Sequence, residues 1–273
     1  MPVELAGRPI FIAGASSGIG AATAEACAVA GMPVLLGARR LDRLEAVASR
    51  CHALGVVAEA IELDVTEAGS CERFVASGSE RLGQPHAVFA NAGYGQEAAA
   101  MDLDDEATRR MFETNYFGTL NILRPGVGAL RRAGGGHALI CSSCLGIFPT
   151  PYYSTYSATK AAQHHLGRAM DIELRSEGIR VSTVHPVGTK TEFFETVATH
   201  GSTRIAGTSE RFMQPASRVA DAIVRCLRRP RPEVWTSTAA RLAFVLAGVS
   251  PRLTSALVRR AVERRLNENA GGT

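Results

Sequence analysis

The chain has 273 residues, of which 46% are hydrophobic, and its formal net charge is +4. This composition excludes a disordered chain and a collagen-like repeat, and the length suits one large α/β domain or two small ones. The 30 basic residues include only two lysines, Lys160 and Lys190. Because arginine supplies positive charge everywhere else, each lysine is a candidate for a role that needs a compact ammonium group.

Positive charge is concentrated in the last quarter of the chain. Residues 204–273 carry 13 arginines against five acidic residues, whereas residues 1–203 carry 17 basic and 21 acidic residues. Six cysteines are scattered through apolar segments, unlike the dense framework of a small secreted domain. We expect neither a signal peptide nor a membrane-spanning segment, since no apolar stretch of the tail approaches ~20 residues. These features favour a cytoplasmic protein.

Strand-like and helix-like segments alternate along the chain. The predicted strands are residues 8–13, 34–37, 56–63, 87–90, 138–141, 180–184 and 233–236. The first predicted helix follows the glycine-rich residues and ends at residue 30. The other predicted helices cover residues 41–54, 68–82, 104–132, 155–177 and 216–228. This alternation predicts right-handed βαβ units and a doubly wound parallel sheet in one domain, residues 1–238, followed by a basic amphipathic helical tail, residues 239–273.

A glycine-rich turn joins the first predicted strand to the first predicted helix. Its sequence is Gly14-Ala15-Ser16-Ser17-Gly18-Ile19-Gly20. The glycines permit a tight turn and a close backbone approach, and the N–H groups at the start of the helix can bind a pyrophosphate. The turn therefore predicts a dinucleotide site, although a glycine-rich turn can also be structural only.

The end of the second predicted strand distinguishes two dinucleotides. An acidic residue there would accept a hydrogen bond from a ribose 2′-hydroxyl, whereas arginine can hold a 2′-phosphate. This chain has Arg39 and Arg40 at that point and no acid. A guanidinium pairs well with phosphate, so the sequence favours NADP(H) over NAD(H). The alternative is a solvated arginine pair in an arginine-rich chain.

A phenol and an ammonium share one face of the helix that opens near residue 155. Tyr156 and Lys160 are four residues apart, and one of the two lysines therefore lies beside a tyrosine. The ammonium favours the phenolate, so we expect Lys160 to lower the pKa of Tyr156 and the pair to exchange a proton with a substrate oxygen. The preceding strand ends in Ser142 and Ser143, which supply hydroxyl groups.

Taken together, these motifs resemble the short-chain dehydrogenase/reductase family. The resemblance extends to about Pro186, and its motifs follow in the family's order: the glycine turn of residues 14–20, Asp64-Val65, Asn91-Ala92-Gly93, Asn115, Ile140-Cys141-Ser142-Ser143 and the Tyr156–Lys160 segment. It implies a Rossmann-type sheet and hydride transfer between a nicotinamide and a carbonyl or secondary alcohol carbon.

The resemblance also implies roles for individual residues. Tyr156 would be the general acid/base, and Ser143, rather than Ser142, would bind the substrate oxygen. Lys160 would hold the nicotinamide ribose, and Asn115 would anchor the proton relay. Around the cofactor, the resemblance implies contacts from Asp64 and Val65 near the adenine and from Asn91, Ala92 and Gly93.

One loop departs from the family pattern. After the sixth strand the family has Pro-Gly and then a threonine that reaches the nicotinamide carboxamide, whereas this chain has Pro186-Val187-Gly188. Thr191 is our first choice for that contact and Thr189 its rival. Lys190 lies between them without an assigned role. A substrate lid is expected at about residues 189–214, where Phe193, Phe194, Phe212 and Met213 favour an apolar substrate.

Further expectations concern the function, the basic tail, metals, nucleic acids and the oligomeric state. The leading function is an NADP(H)-dependent oxidoreductase; the alternative is a catalytically silent NADP(H)-binding regulatory protein with the same fold. The basic tail is compatible with peripheral contact to an anionic membrane or with a packed, solvated helix. No metal site and no nucleic-acid-binding motif is evident. The family resemblance favours a homodimer or homotetramer.

Overall fold

Parallel strands form one central sheet in a computed structural model of the chain, which describes residues 2–147, 150–192 and 213–250, then 252, 254–256, 258–260 and 263. The strands are β1 (Ile10–Ala13), β2 (Val34–Ala38), β3 (Ala58–Glu62), β4 (Ala87–Ala90), β5 (Gly136–Cys141), β6 (Ile179–His185), β7 (Thr189–Lys190), β8 (Gln214–Pro215) and β9 (Glu233–Trp235). Seven of them are ordered β3-β2-β1-β4-β5-β6-β9, and β7 pairs separately with β8.

Helices connect the strands and cover both faces of the sheet. They are α1 (Gly18–Val29), α2 (Leu41–Ala53), α3 (Ala68–Leu82), α4 (Asp105–Phe112), α5 (Gly118–Arg132), α6 (Ser154–Glu173), α7 (Ala216–Arg228) and α8 (Thr238–Val249). The strands and helices confirm the predicted doubly wound, Rossmann-type fold in a single domain.

Alternating side chains of β1 divide the core into two layers. Ile10 and Ile12 face a cluster with α1, α2 and α7, whereas Phe11 faces a second cluster with α3 and α5. Because successive side chains of a strand point to opposite faces, a strand covered on both faces must be apolar at every position. All four residues of β1 are fully buried, which explains why it has no polar alternation.

The predicted helix over residues 104–132 is interrupted in the structure. A π-helical turn, Glu113–Phe117, separates α4 from α5 and contains the fully buried Asn115. Such a turn adds one residue to the helical repeat and shifts the side chains that follow it. The pattern of apolar residues does not reveal this insertion because both flanking helices keep their own periodicity.

The cysteines are buried free thiols, at residues 27, 51, 71, 141, 144 and 226. Cys141 and Cys144 have the spacing of a redox pair, but burial raises the pKa of both thiols, in Cys144 to about 11. A thiol with a raised pKa forms little thiolate and reacts slowly. Within the part of the chain described here, no helix is long and apolar enough to cross a bilayer.

Asp171 fastens the end of α6 to the start of β6. Its side chain is 4% exposed and accepts hydrogen bonds from Arg175 (2.5 Å), Arg180 Nε (3.0 Å) and the Val181 N–H (2.9 Å). Burial alone would raise the pKa of the carboxyl, but these donors hold it below its usual value. The ionised carboxylate therefore stabilises the connection that orients α6 on the sheet.

We expect Asp171→Asn to lower the free energy of unfolding by about 2 kcal/mol near neutral pH, because it removes the charge that these donors share. A depressed native pKa stabilises the fold above the unfolded value, about 3.9, and this stabilisation is lost as the pH falls through the native pKa. Denaturant titrations should therefore show the variant and wild type converging below about pH 4. Glu173→Gln, an exposed change on the same helix, is the control, and an equal loss in both variants would contradict the assignment.

Candidate active site

The predicted site residues meet at the carboxyl ends of the central strands. β1 pairs with β2 on one side and with β4 on the other, so the order of strands reverses there. Loops from both halves of the sheet diverge at this point and leave a crevice, which is where doubly wound sheets bind ligands. The loops after β1, β4, β5 and β6 all open at this edge.

The glycine turn is packed too tightly for a side chain. Gly14 has φ +81°, and a Cβ there would lie 2.7 Å from the main-chain N and Cα of Ala92. Asn91 Nδ2 donates to the Gly14 carbonyl at 2.8 Å and fixes the turn against the loop after β4. The first turn of α1 has no acidic residue, and the Ser17 side chain does not cap it. The helix N–H groups are thus available to an anion.

The two arginines after β2 have different surroundings. Arg40 donates to Glu192 at 3.0 Å and to the hydroxyls of Ser16 and Ser17 at 3.1 Å each, so it crosses the mouth of the glycine turn. Arg39 is exposed and close enough to Asp64 to affect its ionisation. Arg40 is therefore hydrogen-bonded to an anionic partner within the chain, whereas the charge of Arg39 acts on Asp64.

Asp64 and Val65 form the wall next to the glycine turn. Burial alone would raise the pKa of the Asp64 carboxyl, but hydrogen bonds from Thr66 and the charge of Arg39 hold it below its usual value. Val65 is buried, and its carbonyl accepts from Asn121 Nδ2 at 2.9 Å. An ionised acceptor beside an apolar side chain suits an aromatic base that carries an amino group.

The two serines after β5 make different contacts. Ser142 donates its hydroxyl to the main-chain carbonyl of Lys160 at 2.8 Å and is 2% exposed, so it serves the packing of α6. Ser143 hydrogen-bonds to the Tyr156 side chain. The carbonyl of Ser143 can only accept, so His185 Nδ1, at 3.1 Å, carries the proton of that hydrogen bond. The structure thus brings Ser143, and not Ser142, to the phenol.

Tyr156 is a protonated phenol in this environment. Burial raises its pKa above the ordinary value and the Cys141 thiol adds to the rise, whereas the hydrogen bond with Ser143 lowers it. The sequence predicts that Lys160 lowers the pKa of Tyr156 below its usual value, and this prediction is wrong. In the structure the pKa is raised, with burial as the largest cause, so the phenol keeps the proton that it can donate.

Lys160 lies under the tyrosine ring in a fully enclosed place. Its Nζ is 5.6 Å from the centre of the Tyr156 ring and donates to the Cys141 carbonyl at 2.7 Å and to Gln163 Oε1 at 2.8 Å. Burial lowers the pKa of the ammonium to about 8. The amine thus titrates close to neutral pH, which a solvent-exposed lysine does not.

Asn115 ties the π-helical turn to the loop after β4. Its Nδ2 donates to the Tyr94 carbonyl at 2.8 Å and to Thr159 Oγ1 at 3.0 Å, and its Oδ1 accepts from the Tyr94 N–H at 2.9 Å. A Cβ on Gly93 would lie 2.9 Å from Asn115 Oδ1, so that glycine is needed for the contact. The side chain of Asn115 is therefore structural, and its main-chain carbonyl faces α6.

The loop after β6 separates the two threonine candidates. Thr189 donates to the Val187 carbonyl at 2.6 Å and accepts from Gln214 Nε2 at 3.3 Å, so its hydroxyl is occupied within the chain. Thr191 packs against Gly18 of the glycine turn. Lys190 is exposed on β7. The Pro186 carbonyl accepts from the Cys144 N–H at 3.2 Å. Residues 193–212, which include Phe193, Phe194 and Phe212 of the expected lid, lie outside the described residues.

Several buried polar residues near the site escaped the sequence reasoning. Gln163 bonds to Lys160, and Glu97 accepts from the Tyr153 hydroxyl at 3.1 Å beside the Tyr156 ring. His185 stacks on Trp235, with ring centres 4.7 Å apart. The position of Gln163 three residues after Lys160, on the same helical face, is the only one of these signals that spacing could have revealed.

Two comparisons with known sequences agree with this geometry. Residues 8–201 match the family model for short chain dehydrogenases. A protein of Emericella nidulans named glycine betaine reductase ATRR is 32% identical over 233 residues, which are 83% of this chain but 18% of that protein. A protein of Drosophila melanogaster named dehydrogenase/reductase SDR family protein 7-like is 29% identical over 258 residues, 92% of this chain and 79% of that one.

Solved structures show the same arrangement of elements. An alcohol dehydrogenase from the archaeon Thermococcus sibiricus, complexed with 5-hydroxy-NADP, is 33% identical with a TM-score of 0.72, over 83% of this chain and 94% of that chain. A short chain dehydrogenase/reductase from Burkholderia phymatum, complexed with NAD, shares the fold at 21% identity with a TM-score of 0.82, over 92% of this chain and 96% of that chain. The matched residues include the glycine turn and the Tyr156–Lys160 pair, and the chain belongs to the short-chain dehydrogenase/reductase family of oxidoreductases.

Proposed function

We propose that the protein transfers a hydride between NADP(H) and a carbonyl or secondary alcohol carbon of a small, largely apolar molecule. The observation that carries this proposal is the convergence of Ser143, Tyr156 and Lys160 at one buried point beside the glycine turn. A carbonyl oxygen that gains charge during reduction needs hydrogen-bond donors and a proton at the same place. These three side chains supply both.

The crevice suits a dinucleotide in two respects. The glycine turn admits no Cβ at Gly14, and the uncapped start of α1 favours a pyrophosphate. We assign Ser16, Ser17, Gly18, Ile19 and Gly20 to the same cradle. On the adenine side we assign Asp64 and Val65, and next to the nicotinamide Asn91, Ala92, Gly93 and Pro186. Thr191 is the preferred carboxamide contact because its hydroxyl makes a long hydrogen bond of 3.4 Å to the Thr189 carbonyl, whereas the Thr189 hydroxyl donates to Val187 at 2.6 Å and also accepts from Gln214.

The bound cofactor would supply the hydride, and the chain supplies the proton. In the reductive direction Ser143 Oγ and Tyr156 Oη donate hydrogen bonds to the substrate carbonyl oxygen. Tyr156 then releases its proton to that oxygen as charge develops. The Lys160 ammonium lies beneath the ring and stabilises the tyrosinate that remains. In the oxidative direction the same tyrosinate would take the proton from the alcohol.

The first test replaces the proposed proton donor. We expect Tyr156→Phe to lower kcat for reduction at least about 100-fold, because phenylalanine keeps the ring but removes the proposed proton donor. NADPH oxidation over a panel of ketones and aldehydes, followed by nicotinamide absorbance, measures this. Tyr116→Phe, which removes a hydroxyl from the neighbouring π-helical turn, is the matched control and should retain wild-type rates.

The results of this test separate the two candidate functions. Equal rates for wild type and Tyr156→Phe would contradict the assignment of Tyr156 as the proton donor. Thermal stabilisation by NADPH without turnover on the whole panel would instead favour a silent NADP(H)-binding regulatory protein. The buried Ser143–Tyr156–Lys160 set supports the enzyme, because a binding scaffold needs no proton donor there.

The preference for NADP(H) rests on Arg39. We expect Arg39→Ala to raise the Kd for NADPH roughly 10- to 100-fold and that for NADH by less than about threefold, since a charge-assisted contact to the 2′-phosphate is lost. Fluorescence titration of the reduced cofactors measures both constants. Arg43→Ala is the control, because Arg43 on α2 pairs with Glu192 in the turn after β7. A ratio that is unchanged in Arg39→Ala would exclude this role, and a larger effect in Arg40→Ala would transfer it to Arg40.

A second proposal concerns the tail, and it rests on an exposed apolar stripe of α8. Leu242, Val245, Leu246 and Val249 follow helical spacing and are 48–77% exposed. The arginines that follow add positive charge, including Arg252, Arg259 and Arg260. An apolar stripe beside basic residues suits the surface of an anionic membrane.

We expect the full chain to sediment with vesicles of phosphatidylcholine and phosphatidylserine but not with pure phosphatidylcholine, and salt should weaken the binding. The variant Leu242→Ser/Leu246→Ser should stay in the supernatant, as should the chain without residues 239–273. A control, Leu54→Ser/Ile172→Ser, changes exposed apolar residues on other helices. Co-sedimentation of all variants alike would disprove a role of the tail.

The proposed location and partners of the protein follow from its thiols, its tail and its site. Free buried thiols in the described chain suit a reducing compartment, and we place the protein in the cytoplasm, with the membrane contact as a peripheral one. Its partners would be the small-molecule carbonyl or alcohol and a second or further copies of this chain in a homodimer or homotetramer. We assign it no nucleic-acid partner.

A further inference from the structure

Gln163 joins the two parts of the site that lie behind Tyr156. Its side chain is fully buried on α6, one helical turn after Lys160. Oε1 accepts from Lys160 Nζ at 2.8 Å, while Nε2 donates to the Asn115 carbonyl at 2.7 Å and to Thr119 Oγ1 at 2.7 Å. Thr119 in turn donates its hydroxyl to the Asn115 carbonyl at 2.7 Å. One amide thus bridges the ammonium and the π-helical turn.

The chemistry of the partners fixes which way the amide faces. The Asn115 carbonyl can only accept a hydrogen bond, and the Lys160 ammonium can only donate. A reversed amide would place Nε2 against the ammonium and Oε1 against the carbonyl, and both contacts would be repulsive. The observed orientation uses both Nε2 hydrogens and gives Oε1 to the lysine. The Gln163 amide therefore has one orientation, and it cannot relay a proton between its hydrogen-bond partners.

We propose that Gln163 is a positioning residue that holds Lys160 in its charged form and directs its remaining N–H group towards the cofactor side of the crevice. An ammonium has three donors. Two of them bind the Cys141 carbonyl and Gln163 Oε1, which fixes the third. This inference rests on the proposed function, which gives the third donor a ribose hydroxyl to bind.

The charge state of Lys160 depends on these acceptors because the side chains in contact with its ammonium, Gln163 and Tyr156, carry no charge. The acid Glu97 lies beyond Tyr156, where it accepts from Tyr153. Burial keeps the Tyr156 phenol and the Cys141 thiol protonated. On the other elements packed against α6, the pKa of Cys144 is raised to about 11, and that of His185 is lowered to about 4. The charged side chains of α4 lie at the surface and pair with one another. A titration near pH 8 at this point therefore belongs to Lys160, whose pKa is lowered to about 8.

The chain offers a direct measurement because it has only two lysines. Protein made with isotopically labelled lysine gives two side-chain signals by nuclear magnetic resonance, and Lys190→Arg leaves the signal of Lys160 alone. The chemical shift of its Cε follows the protonation of Nζ over a pH series. The experiment needs neither substrate nor cofactor, so it can succeed or fail independently of the proposed function.

We expect the Lys160 midpoint to fall by about one pH unit in Gln163→Met, which keeps the volume but removes the acceptor. It should rise by about one unit in Gln163→Glu, which sets a carboxylate against the ammonium. Thr119→Val is the matched control, because it alters the same hydrogen-bonded group without touching Lys160. Its midpoint should stay within about 0.3 units of wild type.

Two readouts separate positioning from mere stability. The basic limb of the pH profile of kcat/KM should move in the same order as the midpoints, and Gln163→Met should raise the Kd for NADPH several-fold. If Gln163→Met fails to fold, Gln163→Glu still tests the proposal, because its Lys160 midpoint should shift in the opposite direction. Unchanged midpoints in folded Gln163→Met and Gln163→Glu would overturn the proposal. An inactive enzyme with shifted midpoints would leave it standing and refute the proposed function alone.

Discussion

The positive charge of Lys160 is buried beside the sheet, and an ammonium is tolerated there only where oxygen atoms accept its N–H groups. One acceptor is distant along the chain, the carbonyl of Cys141 at the end of β5, and the other is the side chain of Gln163, one turn further along α6. The ammonium therefore ties the carboxyl edge of the sheet to the helix that carries Tyr156. Because Gln163 also binds the Asn115 carbonyl, the π-helical turn belongs to the same arrangement.

This arrangement explains why the catalytic helix has so many buried polar groups. Ser142 bonds to the main chain of α6, Thr159 bonds to Asn115, and Asp171 anchors the far end of the helix on β6. Each of these three groups has a hydrogen-bond partner, as buried polar groups usually do. The outcome is a rigid base under a phenol that burial keeps protonated. Rigidity of this kind favours proton transfer, since the donor stays within reach of the substrate oxygen.

Much of the fold could be predicted because its strands are buried on both faces. β1 and β4 are apolar at every position, and the glycine turn marks the first switch from strand to helix. The candidate site could also be predicted, because Ser143, Tyr156 and Lys160 lie in local sequence motifs. The π-helical turn at Asn115 was missed because the insertion of one residue leaves no trace in the apolar pattern. Glu97 and His185 were missed because their partners are distant along the chain. The spacing places Gln163 beside Lys160, but its contact with the Asn115 carbonyl depends on the fold.

The sequence by itself determined the order of strands and helices, the glycine turn, the arginines after β2 and the presence of a lysine four residues after a tyrosine. These are local features, in which side-chain spacing and backbone freedom act within one or two turns of chain. The tertiary structure alone decided which serine meets the phenol, what each threonine hydroxyl binds in the loop after β6, and that burial raises the pKa of Tyr156. Solvation and hydrogen-bond partners depend on what the fold packs around a group, and spacing along the chain does not specify them.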